Sequence, residues 1–277
     1  MNRTQLVDRM RTKIAHGQAI IGGGAGTGLS AKCAESAGLD FIVIYNSGRY
    51  RMAGRSSMAG LMPYGDANAI VMEMAAEVLP VVMTIPVLAG VCGTDPFRDM
   101  GRFLRQVKDC GFTGVQNYPT VCLYEGIIRA NLEETGLGFD REVDMIAKAH
   151  KLGLFTAAYV ANPEEATAMA EAKADIIVPH MGLTTAGMIG AQTALTLDEC
   201  KIRVAQLTAA ARRVNPDVLI IAHGGPIFGP AEAAELIRDV PGVQGFLGAS
   251  SMERLPTEVA MVSHMTEYTT ITLPTSG

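Results

Sequence analysis

Short apolar runs recur along this chain, each followed by a Gly-rich or polar stretch and then by a longer segment with helical spacing. They cover residues 19–22, 41–45, 87–91, 114–117, 154–159, 176–179, 218–222 and 243–247. Because the runs are continuously apolar rather than alternating, they suit strands covered on both faces of a parallel sheet. Right-handed crossovers join such strands, and eight of these units can close on themselves. The pattern therefore predicts one α/β domain, a (β/α)8 TIM barrel over 1–277. A short helix near 3–16 would precede it, and a helix or tail near 256–277 would end it.

Helix punctuation agrees. Asn162-Pro163-Glu164-Glu165 puts a capping side chain before Pro, with acids in the positive first turn, and Asp95-Pro96 reads as the same device. Thr196 and Glu199 have capping-box spacing. The helix they open carries Cys200, Val204, Leu207, Ala211 and Val214 as an apolar stripe. Gly38, Gly111 and Gly153 sit where helices should end. The segments 46–67 and 180–195 exceed ordinary loop lengths and are rich in Gly, Ser, Thr and Met, which suits either a mobile lid or packing on a neighbour.

Composition narrows the class. The chain is 48% hydrophobic and 18% charged, with a net charge of -5 and no basic run, so neither nucleic acid nor a membrane surface is an expected partner. The polar N-terminus has no signal-peptide core. Five scattered cysteines without CxxC spacing read as reduced thiols, and a cytoplasmic protein is expected. The apolar positions of 259–273 suit packing against a second copy, so a homo-oligomer is expected.

Candidate chemistry gathers at the C-terminal ends of the runs, where barrels bind ligands. In the segment 22–28 (GGGAGTG), Gly24 and its neighbours could hold an anion on backbone amides or simply allow close packing. Gly26-x-Gly28-x-x-Ala31 loosely matches a dinucleotide fingerprint. The second run ends in Tyr45-Asn46, however, with no acid for a ribose hydroxyl. No nicotinamide, flavin or PLP is expected. Asn46, Ser47 and Gly48, with the two arginines Arg49 and Arg51, could grip a carboxylate or phosphate, or both arginines could be solvated surface residues.

Asp95 could hold a divalent cation, act as a base or cap a helix. Gln116, Asn117 and Tyr118, and Tyr159 with Asn162, could bond a small polar ligand or only tie loops together. Gly224, Gly225, Ser250 and Ser251, with Arg254 beyond them, have the small residues of a phosphate corner, which barrel closure can also require. His180 and His223 end adjacent runs, so both imidazoles can reach one bound molecule as acid, base or metal ligand. No lysine ends a run, which argues against a Schiff-base mechanism.

Taken together, residues 19–28 (AIIGGGAGTG), 45–54 (YNSGRYRMAG), 178–187 (VPHMGLTTAG), 221–226 (IAHGGP) and 245–254 (GFLGASSMER) resemble the phosphoenolpyruvate hydrolase-like, or indole-glycerol-phosphate-synthase-like, TIM-barrel proteins. A similar barrel looks to form the C-terminal half of a plant antiviral resistance protein. The resemblance places the chain near the phosphoenolpyruvate/pyruvate superfamily. It implies a lyase or hydrolase that cleaves a C–C or C–P bond of a small anionic 2-oxo acid or related carbonyl compound through an enolate, usually with Mg2+. Asn46-Ser47-Gly48 would then match the turn that holds the substrate carboxylate, and Asp95 a metal-associated acid. The pattern departs at Asn117, where an acid would be expected, and at the acidic cluster, reduced here to Asp95. The alternative is a non-catalytic ligand-sensing or scaffold barrel that binds a small phosphate or a protein partner.

Overall fold

Eight parallel strands close into a barrel in sequence order, β1 to β8, in the computed structural model, which describes residues 1–274. The strands are β1 Ile20–Gly24, β2 Phe41–Ile44, β3 Val87–Val91, β4 Gly114–Asn117, β5 Phe155–Val160, β6 Ile176–Pro179, β7 Leu219–His223 and β8 Gly245–Gly248. In β2, β3, β4, β5, β6, β7 and β8 every residue is buried, because each strand is covered by barrel interior on one side and helices on the other. That is why the runs lack alternation.

The first helices are α1 Arg3–Ala15, α2 Gly28–Ser36, α3 Asn46–Met52, α4 Ala67–Val78, α5 Met100–Asp109 and α6 Gly126–Glu134. They are followed by α7 Phe139–Lys151, α8 Pro163–Glu171, α9 Leu197–Val214, α10 Pro230–Asp239 and α11 Arg254–Thr269. Asn162 caps α8 by accepting from the Glu165 amide at 2.9 Å, and the Thr196–Glu199 capping box opens α9. Gly38, Gly111 and Gly153 take φ of +77°, +108° and +75° after their helices, as left-handed C-terminal positions do.

Three expectations need correction. Asp95-Pro96 starts no helix: α5 begins at Met100 with Asp99 as its cap, because the Asp95 side chain is turned onto the Phe97 amide and Arg98. The segment 46–67 is not one loop but holds α3 and a 3-10 turn, Ser57–Leu61. Val214, the last residue of α9, is 40% exposed while Cys200, Val204, Leu207 and Ala211 are buried.

Helix α1 lies across the N-terminal ends of the strands. Leu6 and Met10 are buried, Arg3 pairs with Asp175 before β6 at 2.7 Å, and Lys13 pairs with Asp40 before β2 at 2.6 Å. With that end covered, the C-terminal mouth is the open one. Helix α11 behaves differently from the other long helices: Val259, Met261, Val262, Met265 and Tyr268 are each half exposed or more. The expected C-terminal tail reaches residues 275–277, which lie outside the described residues. No helix among the described residues is long and apolar enough to cross a membrane.

Candidate functional site at the barrel mouth

Five rings from five different strands form a connected chain around the mouth. Tyr45 follows β2, Tyr118 follows β4, Tyr159 lies in β5, His180 follows β6 and His223 ends β7. Centroid separations are 4.9 Å for Tyr45–Tyr118, 6.3 Å for Tyr118–Tyr159, 4.8 Å for Tyr159–His180, 5.0 Å for Tyr159–His223 and 4.7 Å for His180–His223. All five border a cavity of about 340 Å3. The tilted and edge-on contacts are those that aromatic quadrupoles favour.

The two imidazoles are held in opposite senses. His223 Nδ1 lies 2.7 Å from the Leu247 carbonyl oxygen, an acceptor only, so this nitrogen carries the proton and Nε2 keeps a bare lone pair. His180 Nδ1 accepts from the Gly182 amide at 3.1 Å, so neutral His180 carries its proton on Nε2. Burial lowers both pKa values: His223 falls to about 4, and His180 lies well below its ordinary value, with His223 as a further cause. Near neutral pH the site therefore offers one neutral N–H donor beside one neutral acceptor.

Arg51, on α3, reaches the same cavity and forms a buried ion pair with Glu253, at the start of α11. Arg51 Nε is 2.7 Å from Glu253 Oε2, whereas Arg51 Nη1 is buried with no partner. The other Glu253 oxygen accepts from the Gly26 amide at 2.6 Å and from the Ser30 hydroxyl. The Gly-rich turn thus does cradle an anion, and the anion is the protein's own carboxylate. Glycine is required at 26 because a Cβ there would run into the Gly48 carbonyl of α3.

The other expected residues divide. Ser47 and Ser250 border the cavity with Tyr159, His180 and His223, and the Ser250 hydroxyl is 3.4 Å from that of Ser57. Arg49 does not face it. It points to the opposite side of α3, 2.6 Å from Glu73 and 3.2 Å from Glu77, because residues two apart on a helix diverge. Gly24 and Gly48 are packed against neighbours, Gly24 facing the Tyr45 hydroxyl. Asn46 donates to the Gly60 carbonyl at 2.9 Å and faces the adjoining groove.

Asn117 pins β4 to β5, accepting from the Tyr159 amide at 2.7 Å and donating to Glu142 at 2.6 Å. Gly224 and Gly225, at φ +79° and +61°, let β7 turn under the carbonyls of Gly182 and Met181. Ser251 is only partly buried and does not border the cavity. Arg254 is committed to Glu258 at 2.8 Å and to the Ala186 carbonyl at 3.1 Å, tying α11 to the 180–195 segment.

Asp95 lies apart from the histidines, in a neighbouring groove of about 620 Å3. Its carboxylate is occupied: Asn68 donates to it at 2.9 Å, the Phe97 amide at 2.9 Å, and Arg98 forms an ion pair with it. Arg98 also reaches Asp66 at 2.7 Å. Among the described residues no three His, Cys, Asp or Glu side chains converge as a metal site. These residues do not fit a divalent cation, since the Arg98 guanidinium already supplies the positive charge between the two acids.

Glu253 and Tyr45 escaped the sequence reading, which offered Arg49 and Arg51 together without deciding which of them turns inward. Reading 46–52 as a helix would have separated Arg51 from Arg49. Nothing local marks Glu253, whose partner is 202 residues away. Glu142 was also missed. It is fully buried, accepts from Asn117, Thr120 and the Val121 amide at 2.6, 2.8 and 2.6 Å, and burial raises its pKa to about 8.

The phosphoenolpyruvate hydrolase-like family matches residues 5–271. The tomato (Solanum lycopersicum) proteins "ToMV susceptible protein tm-1(GCR26)" and "ToMV resistance protein Tm-1(GCR237)" are each 56% identical over 271 residues, 98% of this chain and 36% of theirs. The chain thus spans about a third of the length of these relatives. Among solved structures, 2,3-dimethylmalate lyase superposes with a TM-score of 0.62 at 16% identity, covering 100% of this chain and 90% of that one. Phosphonopyruvate hydrolase, in complex with oxalate and Mg2+, gives a TM-score of 0.59 at 18% identity, covering 97% and 88%. At these identities the structural likeness shows the barrel fold.

Proposed function

Because the chain belongs to the phosphoenolpyruvate hydrolase-like family, we propose that its barrel is a lyase or hydrolase acting on a small anionic 2-oxo acid or related carbonyl compound. The observation that carries this reading is the buried Arg51, whose Nη1 has no partner, bordering one cavity with two oppositely protonated imidazoles. The family and the lyase and hydrolase neighbours support the same class of chemistry.

In this reading Arg51 Nη1, with the Ser47 and Ser250 hydroxyls, holds the substrate carboxylate. His223 Nε2 takes a proton either from a substrate hydroxyl, whose oxygen becomes the carbonyl of the departing fragment, or from a water whose oxygen bonds to the carbon or phosphorus of that fragment. As the bond to that fragment breaks, its electron pair passes into the 2-oxo group, and the resulting enolate oxygen accepts a hydrogen bond from His180 Nε2–H. Both imidazoles act from the neutral state, so their lowered pKa values keep them competent near pH 7. No step is assigned to Asp95. The exposed apolar positions of α11 support assembly into a homo-oligomer.

A second reading, a barrel that binds a small phosphate or a protein partner without turnover, is favoured by one observation. Two ion sites are filled by the chain itself, with Glu253 in the Gly-rich cradle and Arg98 between Asp66 and Asp95. A screen of 2-oxo acids for turnover, with Mg2+ and after EDTA, separates the two. The catalytic reading expects turnover that falls about 10²–10⁴-fold in His223→Ala with the fold intact. Full activity in both His180→Ala and His223→Ala removes the proton-transfer assignment. Binding without turnover establishes the second reading.

A further inference from the structure

Taking the mouth cavity as a substrate site, we infer that its ligand is a monocarboxylate with a branched or aromatic apolar body rather than a compact dianion. Arg51 is the sole lysine or arginine bordering the cavity among the described residues, and Glu253 already balances its charge. The unpartnered Nη1 amino group remains, which suits one carboxylate. One carboxylate on Nη1 already leaves this charge-balanced site net negative, so a second negative charge would add to it with only two neutral imidazoles to face it, and an unpaired buried charge is costly.

The walls carry the other half of the argument. Tyr45, Tyr118, Tyr159, Met58, Leu123 and Leu183 present rings and apolar side chains to the cavity. Its volume of about 340 Å3 is roughly twice the ~150 Å3 that suffices for a benzene ring in an apolar core. A three- or four-carbon diacid would leave most of that wall unsatisfied, whereas an aryl or branched-chain 2-oxo acid would cover it. The hydroxyls of Ser47, Ser57 and Ser250 can complete the carboxylate's hydrogen bonds.

Calorimetric titration of the intact chain with phenylpyruvate, 4-methyl-2-oxopentanoate, oxaloacetate, oxalate and phosphoenolpyruvate tests this. The expected result is that the first two bind at least tenfold more tightly than the last three. The double variant R51M/E253Q, which removes both charges without stranding either, should weaken phenylpyruvate binding by at least tenfold. Leu183→Arg, which adds a cation to the wall, should shift preference toward oxaloacetate by a similar factor. Oxaloacetate or oxalate binding as tightly as phenylpyruvate in the unmodified protein overturns the inference and leaves the 2-oxo-acid reading in place. Binding of none of the five overturns both.

Discussion

Arg51 and Glu253 meet across 202 residues of sequence, with side chains only 1% and 2% exposed, and tie the connection after the second strand to the one after the eighth. Glu253 has its remaining oxygen on the Gly26 amide and the Ser30 hydroxyl, so three separate βα connections converge on one carboxylate. A buried pair of this kind stabilises little relative to apolar residues, but losing one member strands the other.

Arg51→Met should therefore destabilise the fold by about 3–5 kcal/mol, since Glu253 would stay buried without its counter-charge. R51M/E253Q should recover much of that loss. Urea unfolding midpoints of the two variants check it, and equal destabilisation by both would show that the pair's shape matters more than its charge.

Stability should peak near pH 6.5 as far as His180, His223 and Glu142 determine it. The histidines bind protons less well folded than unfolded, so acid favours the unfolded chain. Their contribution is present above about pH 6.5 and is lost as pH falls towards the folded value of about 4 for His223. Glu142 works the other way. Its folded pKa of about 8 exceeds the ordinary 4.5, so its contribution is lost as pH rises towards 8. Each fully unequal proton corresponds to about 1.4 kcal/mol per pH unit. Denaturant unfolding across pH 4–8.5 should show both limbs. The alkaline limb should flatten in Glu142→Gln and the acid limb in His223→Gln.

Mg2+ at millimolar concentration should leave the thermal midpoint unchanged, because Arg98 occupies the space between Asp66 and Asp95. Removing that guanidinium with Arg98→Met frees both carboxylates, and Mn2+ binding followed by electron paramagnetic resonance should then appear. Tight Mn2+ binding to the unmodified protein, abolished in Asp95→Asn, would overturn the assignment.

Light scattering at micromolar concentration should give a mass above that of the 29.3 kDa chain. Replacing Val262 and Met265, 56% and 57% exposed on α11, with serine should lower the mass towards the monomer without a large stability loss. A monomeric mass for the unmodified protein would leave that apolar stripe without a role.

The barrel itself was legible in the sequence, because a strand buried on both faces must be apolar throughout and each crossover needs its own cap and turn residues. The runs at 87–91, 114–117 and 176–179 coincide with β3, β4 and β6. Placing His180 and His223 on adjacent strand ends required only chain order, and their rings do lie together.

What the sequence could not decide is which side chain of a short segment turns inward. Arg49 and Arg51 stand two residues apart with the same chemistry, and the helical turn of α3 sends one to solvent and the other beneath the mouth. Nor could it show that the charges it offered to ligands were already taken. Glu253 fills the glycine cradle and Arg98 satisfies Asp95, because only folding sets groups remote in the chain within hydrogen-bonding distance. Local pattern fixes the periodicity of burial, whereas the partner of each buried charge is a property of the closed ring.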